Sequence, residues 1–417
     1  MEKFIVAGEV QLAGSVKING AKNATLPLMA ATLLCSGVSI LHNVPDLRDI
    51  AMMRDILQLL GAKIRREGST LIIDTTGVSK LEIPEHLMRE MRASVFLMGP
   101  LLGRFRTVRL SFPGGCAIGP RPINLHLKAL EKIGAAINDR GGFIDARAAR
   151  LTGGEINFDF PSVGATENAM MAAAVADGTT IIRNAAREPE VVDLQSLLVK
   201  MGAEISGAGT DTIVIHGVEQ LTPAEHRIIP DRIEAGTFLV AGAITRGDVT
   251  IENVIPAHLF SIIDKLQEIG ARVDSSGTTI RIRGGELRGV DIKTLPFPGF
   301  PTDLQAPLLA ALTIAKGTSI ITETIFENRF KHVDELGRMG AKIKVEGRTA
   351  IIRGVPKLSG AIVAAQDLRA GAALVMAALA AEGLSEIEHV YHIDRGYEAL
   401  EKRLRQLGAN ITRVTCE

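Results

Sequence analysis

Six segments of this chain are apolar almost all the way round a helix. They are "NATLPLMAATLLCSG", "RASVFLMGPLLGR", "GATENAMMAAAVADG", "EAGTFLVAGAITRG", "DLQAPLLAALTIAKG" and "DLRAGAALVMAALAAEG". A helix without a polar face must be buried, and each segment ends near a glycine suited to stopping it. Runs that alternate or favour β-branched residues follow, such as "TTIIRNA" and "DVTIENV", and read as strands. Between them lie amphipathic segments such as "VVDLQSLLVKMGA", which predict surface helices ending on a Gly-Ala cap that leads into a strand.

The capping phrase repeats. "LLGAKI", "KIGAAI", "KMGAEI", "EIGARV", "RMGAKI" and "QLGANI" place glycines at 61, 134, 202, 270, 340 and 408, at spacings of 73, 68, 68, 70 and 68 residues. Six copies of one unit are implied, each with two helices and several strands. A period near 70 exceeds the 20–50 residues usual for solenoids, so three units packed round their buried helices in each of two domains is the expected arrangement. The segments "VKINGAKNA" and "HRIIPDRIEAG" have the Pro, Gly and charge content of crossovers. They divide the chain into a first domain, 20–229, and a second made of 1–19 and 230–417.

Composition narrows the chemistry. Lys plus Arg equals Asp plus Glu at 47 each, so no overall basic field draws nucleic acid or an anionic membrane, and an anion site has to be local. The start, "MEKFIVAGEVQLAG", alternates like a strand and lacks a signal-peptide core, and no run approaches a membrane span. Three widely spaced cysteines, Cys35, Cys116 and Cys416, fit neither a disulfide framework nor a zinc site. A reducing cytoplasm is the expectation.

Cys116 has unusual surroundings, "SFPGGCAIGPRPINLHLKAL". A cysteine is often just a small buried hydrophobe, but Gly114, Gly115 and Gly119 suggest a loop, and Arg121 with a helix start after Pro122 favours thiolate. Cys35, in an apolar helix, and Cys416, next to the chain end, keep the inert reading. Lys22 in "NGAKNA" lies between a glycine turn and a helix start, where backbone N–H groups attract an anion; the alternative is a solvated surface charge. Asp303 in "FPTDLQAP" opens an apolar helix and reads either as an N-cap or as a base, and Asp367 shares the ambiguity.

Taken together, "NGAKNA", "PGGCAIGPRP", "PSVGATEN", "FPTDLQAP", "DLRAGAA" and "HIDRGYE", in this order along six units, resemble the enolpyruvyl transferases, and specifically those acting on UDP-N-acetylglucosamine. The resemblance spans the whole chain. It implies a two-domain inside-out α/β barrel, with helices buried, sheets outside and the active site in the cleft between the domains. It also implies transfer of the enolpyruvyl group of phosphoenolpyruvate to the 3-hydroxyl of UDP-N-acetylglucosamine with release of phosphate, the first committed step of peptidoglycan synthesis. Metal and organic cofactors are not required.

By resemblance Cys116 is the loop general acid and the target of an epoxide phosphonate inhibitor, and Asp303 is the base. Lys22 and Asn23 hold phosphoenolpyruvate with Arg92, Arg121 and Arg395, while Arg329 and Arg369 belong to the same electropositive cleft. Pro122, Ile123, Asn124, Leu125, Ser162, Val163, Gly164, Ile325 and Asp367 match positions that hold the nucleotide sugar. Two departures concern its uracil end: Asn124 where many members have Asp, and Phe160 where some carry a basic residue. The alternatives are the shikimate-pathway enolpyruvyl transferase, against which the cysteine loop argues, and a non-catalytic nucleotide-sugar binder.

Overall fold

A computed structural model describes residues 2–90, 92–112 and 123–415, without the side chains of residues 89, 90, 92 and 93. The chain is α/β, and its described strands form six four-stranded sheets of one design. In each, three strands pair antiparallel and a fourth strand pairs parallel at an edge. In the third repeat, for example, Glu155–Asn157 lies parallel to Thr179–Arg183, which pairs antiparallel with Thr212–His216, itself antiparallel to Glu204–Ser206. A parallel pair needs a crossover, and here the apolar helix Val163–Ala173 supplies it.

Among the described residues two compact units result, residues 20–112 with 123–229 and residues 2–19 with 230–415, each holding three sheets. The division follows from strand exchange. Ala13–Lys17 precedes the helix Lys22–Ala31 and the strand Val38–His42, yet it pairs with Asp248–Glu252. The matching edge of Val38–His42 is filled by Glu225–Arg227. The first strand, Glu2–Ala7, lies between Leu384–Glu388 and Asn410–Thr415.

All six apolar segments are helical and buried. In one unit Met98–Phe105 and Lys22–Ala31 pack against Val163–Ala173; in the other Arg232–Ile244, Gln305–Leu312 and Leu368–Ala380 pack against one another. The approach is close enough to require glycine: a Cβ on Gly99 would sit 2.4 Å from the Asn168 carbonyl oxygen. The second segment departs from a single helix. It runs as a 3-10 turn, Arg92–Leu97, and then as the α-helix Met98–Phe105, consistent with Pro100, whose ring nitrogen cannot donate back to residue 96.

The repeated glycines end the amphipathic helices as the phrase predicts. Gly61, Gly134, Gly202, Gly270, Gly340 and Gly408 all have φ between 93° and 110°, a region an L side chain resists. At the first of them the Gly61 and Ala62 N–H groups bond back to Gln58 and Leu57. Among the described residues no helix is long and apolar enough to cross a membrane.

Candidate active site

In the unit that includes 230–415, Asp303 sits in the 3-10 turn Thr302–Leu304 ahead of the buried helix Gln305–Leu312. It caps neither element. Its carboxylate instead accepts from two guanidiniums, Arg329 Nη2 at 2.8 Å on Oδ1 and Arg369 Nη2 at 2.9 Å on Oδ2. Both arginines are almost fully buried, while Asp303 keeps 24% of its side-chain surface open. Burial alone would raise the Asp303 pKa, but Arg369 and Arg329 outweigh it and hold the carboxyl well below the carboxylate range. The result is an ionised acid with one open edge, fixed from behind by two buried cations.

Asp367 resolves the other way. It is the N-cap of Leu368–Ala380, accepting from the Arg369 and Ala370 N–H groups at 2.8 and 2.9 Å, and so fixes the backbone that carries Arg369. Between Asp367 and Arg329 lies His332, 1% exposed, with Nε2 unpartnered among the described residues. Burial pulls its pKa down to about 4, with Asp367 opposing and Arg329 adding to the effect. A neutral imidazole here spares the cluster a third positive charge.

Ile325 is held by a residue that the sequence reading passed over. Glu323, fully buried, accepts from the Thr294 and Thr302 hydroxyls at 2.8 and 2.9 Å and from the Ile325 and Phe326 N–H groups at 2.8 and 3.2 Å. One carboxylate thus ties the loop bearing Ile325 to the turn bearing Asp303. In "TETIFEN" it reads only as a polar strand end, so no local signal marks it. Arg395 ends the 3-10 turn Val390–Arg395, two residues before the buried Tyr397.

In the unit 20–229, Lys22 begins the helix Lys22–Ala31, whose N-cap, Ala21, offers no side-chain acceptor. The lysine is 8% exposed, and its ammonium lies 2.7 Å from Asp49 Oδ2. The solvated-surface reading therefore fails. Lys22, Arg329 and Arg369 each have a carboxylate partner within their own unit. Asn23 follows Lys22, half-buried. Asp49 lies in the first turn of Arg48–Leu60, where an acid is ordinary helix chemistry, which is why it drew no attention in the sequence.

Ser162 caps Val163–Ala173 through a 3.4 Å bond from the Ala165 N–H, and Val163 and Gly164 form the first turn, half-buried. Ile123 precedes the helix Asn124–Lys132; Asn124 is exposed and Leu125 half-buried. The two helices are joined by Asn168, whose side-chain oxygen accepts from the Gly99 N–H at 2.5 Å and whose NH2 donates to the Val95 carbonyl at 3.0 Å and to His126 Nδ1 at 3.1 Å. Phe160 is 43% exposed. Arg92 starts the turn Arg92–Leu97, but its side chain, together with Cys116, Arg121, Pro122 and Cys416, lies outside the described residues. Cys35 is buried as expected, but it lies in extended backbone just after the 3-10 turn Thr32–Leu34 rather than in the helix.

The profile of the family described as EPSP synthase (3-phosphoshikimate 1-carboxyvinyltransferase) matches residues 6–404. The chain is 56% identical over 420 residues to UDP-N-acetylglucosamine 1-carboxyvinyltransferase 1 of Symbiobacterium thermophilum, covering 99% of this chain and 95% of the relative. It is 55% identical over 416 residues to UDP-N-acetylglucosamine 1-carboxyvinyltransferase of Desulfosudis oleivorans, covering all of both. Among solved structures, the enolpyruvyl transferase NikO from Streptomyces tendae superposes with a TM-score of 0.90 at 28% identity, covering 100% of this chain and 99% of that one. EPSP synthase from Acinetobacter baumannii, at 19% identity and a TM-score of 0.76 over the full length of both, shares the fold. With matches of this length and identity, the chain belongs to the enolpyruvyl transferase family, in the branch of the UDP-N-acetylglucosamine 1-carboxyvinyltransferases.

Proposed function

We propose that this protein transfers the enolpyruvyl group of phosphoenolpyruvate to the 3-hydroxyl of UDP-N-acetylglucosamine and releases phosphate, in peptidoglycan synthesis in the cytoplasm. The observation that carries the reading is the Asp303 carboxylate, ionised, partly open and backed by Arg329 and Arg369. Three units per domain round buried helices support an inside-out α/β barrel for residues 20–229 and for 1–19 with 230–417, and the reaction draws on residues of both.

The 3-hydroxyl adds to C2 of phosphoenolpyruvate while a proton reaches C3. Phosphate then leaves as a proton is lost from C3, so the vinyl ether forms without any redox step. Asp303 takes the hydroxyl proton. The guanidiniums that keep it ionised also weaken it as a base, so transfer occurs as the C–O bond forms and the hydroxyl turns acidic. Cys116 supplies the proton to C3. Lys22, Asn23, Arg92, Arg121 and Arg395 hold the phosphate and carboxylate and stabilise the charge that develops. The segments Pro122–Leu125 and Ser162–Gly164, with Ile325, seat the nucleotide sugar. The scheme uses no metal or organic cofactor.

The test is phosphate release from phosphoenolpyruvate with UDP-N-acetylglucosamine, with shikimate 3-phosphate, or with neither. Release only with the nucleotide sugar is expected; release only with shikimate 3-phosphate refutes the reading. Cys116→Ser should nearly abolish turnover and block labelling by an epoxide phosphonate, because a serine hydroxyl is a far weaker acid.

A further inference from the structure

Asn168 is fully buried on the helix Val163–Ala173, four residues beyond Gly164 and so on the same face of it. Its amide can be oriented in only one way. The Gly99 N–H can only donate, so the atom 2.5 Å from it is Oδ1. The Val95 carbonyl can only accept, so the atom 3.0 Å from it is Nδ2, and the second hydrogen of that nitrogen is left for His126 Nδ1 at 3.1 Å. Nδ1 must then offer a lone pair. His126, 8% exposed, is therefore the neutral imidazole that carries its hydrogen on Nε2.

The groups that Asn168 grips stand on either side of Gly164. A Cβ on Gly164 would lie 3.0 Å from His126 Cε1 and 3.0 Å from Phe96 Cε1, so two rings press on the backbone of the turn that Ser162 caps. Phe96 follows Val95 in the turn Arg92–Leu97, and His126 lies two residues after Asn124 on the helix Asn124–Lys132. One amide thus ties together three elements round a single turn. It holds the backbone next to Phe96 through the Val95 carbonyl and the imidazole through Nδ1. Without it the ring can exchange tautomers and turn, and Phe96 loses the anchor beside it.

We propose that Asn168 is a positioning residue for the nucleotide sugar: by locking the His126 imidazole in one tautomer and anchoring the backbone beside Phe96, it sets the gap in which the Gly164 turn meets the ligand. The proposal rests on the reading of Ser162–Gly164 as part of the nucleotide-sugar seat. Asn168 acts through His126 and Phe96 and, being fully buried, touches no substrate.

Asn168→Ala removes the hold on Val95 and on His126. Two neutral hydrogen bonds correspond to roughly 5- to 30-fold, so calorimetry should show UDP-N-acetylglucosamine bound more weakly by about that factor. The kcat at saturating nucleotide sugar should stay within about threefold, because no contact to the reacting atoms is lost. His126→Ala should weaken binding in the same sense, and His126→Asn, whose side-chain oxygen can stand where Nδ1 stands and accept from Asn168, should recover part of the loss. A second readout is independent of the ligand. The chain has nine histidines, and in protein labelled with 15N at histidine the signals missing from His126→Asn belong to His126. They should be those of a neutral ring with its hydrogen on Nε2, and Asn168→Ala should abolish that single-tautomer pattern. A folded Asn168→Ala that binds the nucleotide sugar within twofold of the parent overturns the proposal. So does a parent His126 ring with its hydrogen on Nδ1, a result that holds even where Asn168→Ala does not fold. A parent that binds no UDP-N-acetylglucosamine refutes the functional reading, and the proposal falls with it; equal binding by parent and variant refutes the proposal alone.

Discussion

Replacing Asp303 by asparagine keeps the shape of the side chain and one acceptor oxygen but removes the charge that balances Arg329 and Arg369. The two guanidiniums have side chains only 3% and 4% exposed, so water can replace little of what they lose. Removing one partner of a buried ion pair costs about 3–5 kcal/mol. Asp303 is 24% open and asparagine still accepts a bond, so about 2–3 kcal/mol is the appropriate size here. For a domain of 150–250 residues each kcal/mol moves Tm by about 2–4 °C, and the variant should melt about 4–12 °C below the parent at pH 7. The pH dependence has a definite sign. The folded-state pKa of Asp303 is depressed, so its contribution is present above the unfolded value, about 3.9, and is lost as pH falls through the folded one. The gap between parent and variant should therefore be steady near neutrality and close in acid. Inorganic phosphate should narrow it, since an anion between the guanidiniums replaces the missing charge. Turnover should fall by roughly 10²-fold or more. Thermal melts across pH, with and without phosphate, and a phosphate-release assay measure all of this. An asparagine variant as stable as the parent at pH 7, or a gap that widens in acid, would refute the view that this carboxylate compensates the two arginines.

Lys22→Gln removes the ammonium that lies 2.7 Å from the buried Asp49; urea melts should show a loss of about 2–4 kcal/mol, and saturation with phosphoenolpyruvate should need far higher concentrations. Glu323→Ala strands four donors, the Thr294 and Thr302 hydroxyls and the N–H groups of Ile325 and Phe326. A loss of about 3 kcal/mol or more is expected, together with a raised KM for the nucleotide sugar, whereas an unchanged KM would free Ile325 from any part in seating it. His332 titrates at about 4 when folded against about 6.5 unfolded. Its contribution is therefore full above pH 6.5 and falls by up to roughly 3 kcal/mol as pH drops to 4, and His332→Gln should flatten that part of the stability curve.

What could be read from the chain alone is what local physics writes locally. Helices apolar on every side could only be buried, and six glycines at a period near 70 could only be caps, because a φ near +100° is cheap for glycine and costly for other residues. Lys22 at a helix start and Asp303 beside a proline-rich turn could be singled out, since both belong to short motifs whose residues are neighbours in sequence. The same locality explains the misreading of Arg92–Leu97 as part of one long helix, where Pro100 changes the hydrogen bonding of the turn before it.

The tertiary structure decided which of two equal-looking acids caps a helix and which faces arginines: Asp367 bonds residues two and three places on, while Asp303 reaches partners 26 and 66 residues away. It decided that Lys22 is neutralised by Asp49 and that Glu323 clips a loop. It also decided that Ala13–Lys17 and Glu225–Arg227 exchange sheets. None of these pairings leaves a periodic trace, because a charge or a hydroxyl needs only one partner in space, and the chain can bring that partner from any distance. Backbone propensity and hydrophobic period are properties of a segment and survive in its sequence; a contact is a property of two segments and exists only once both are folded.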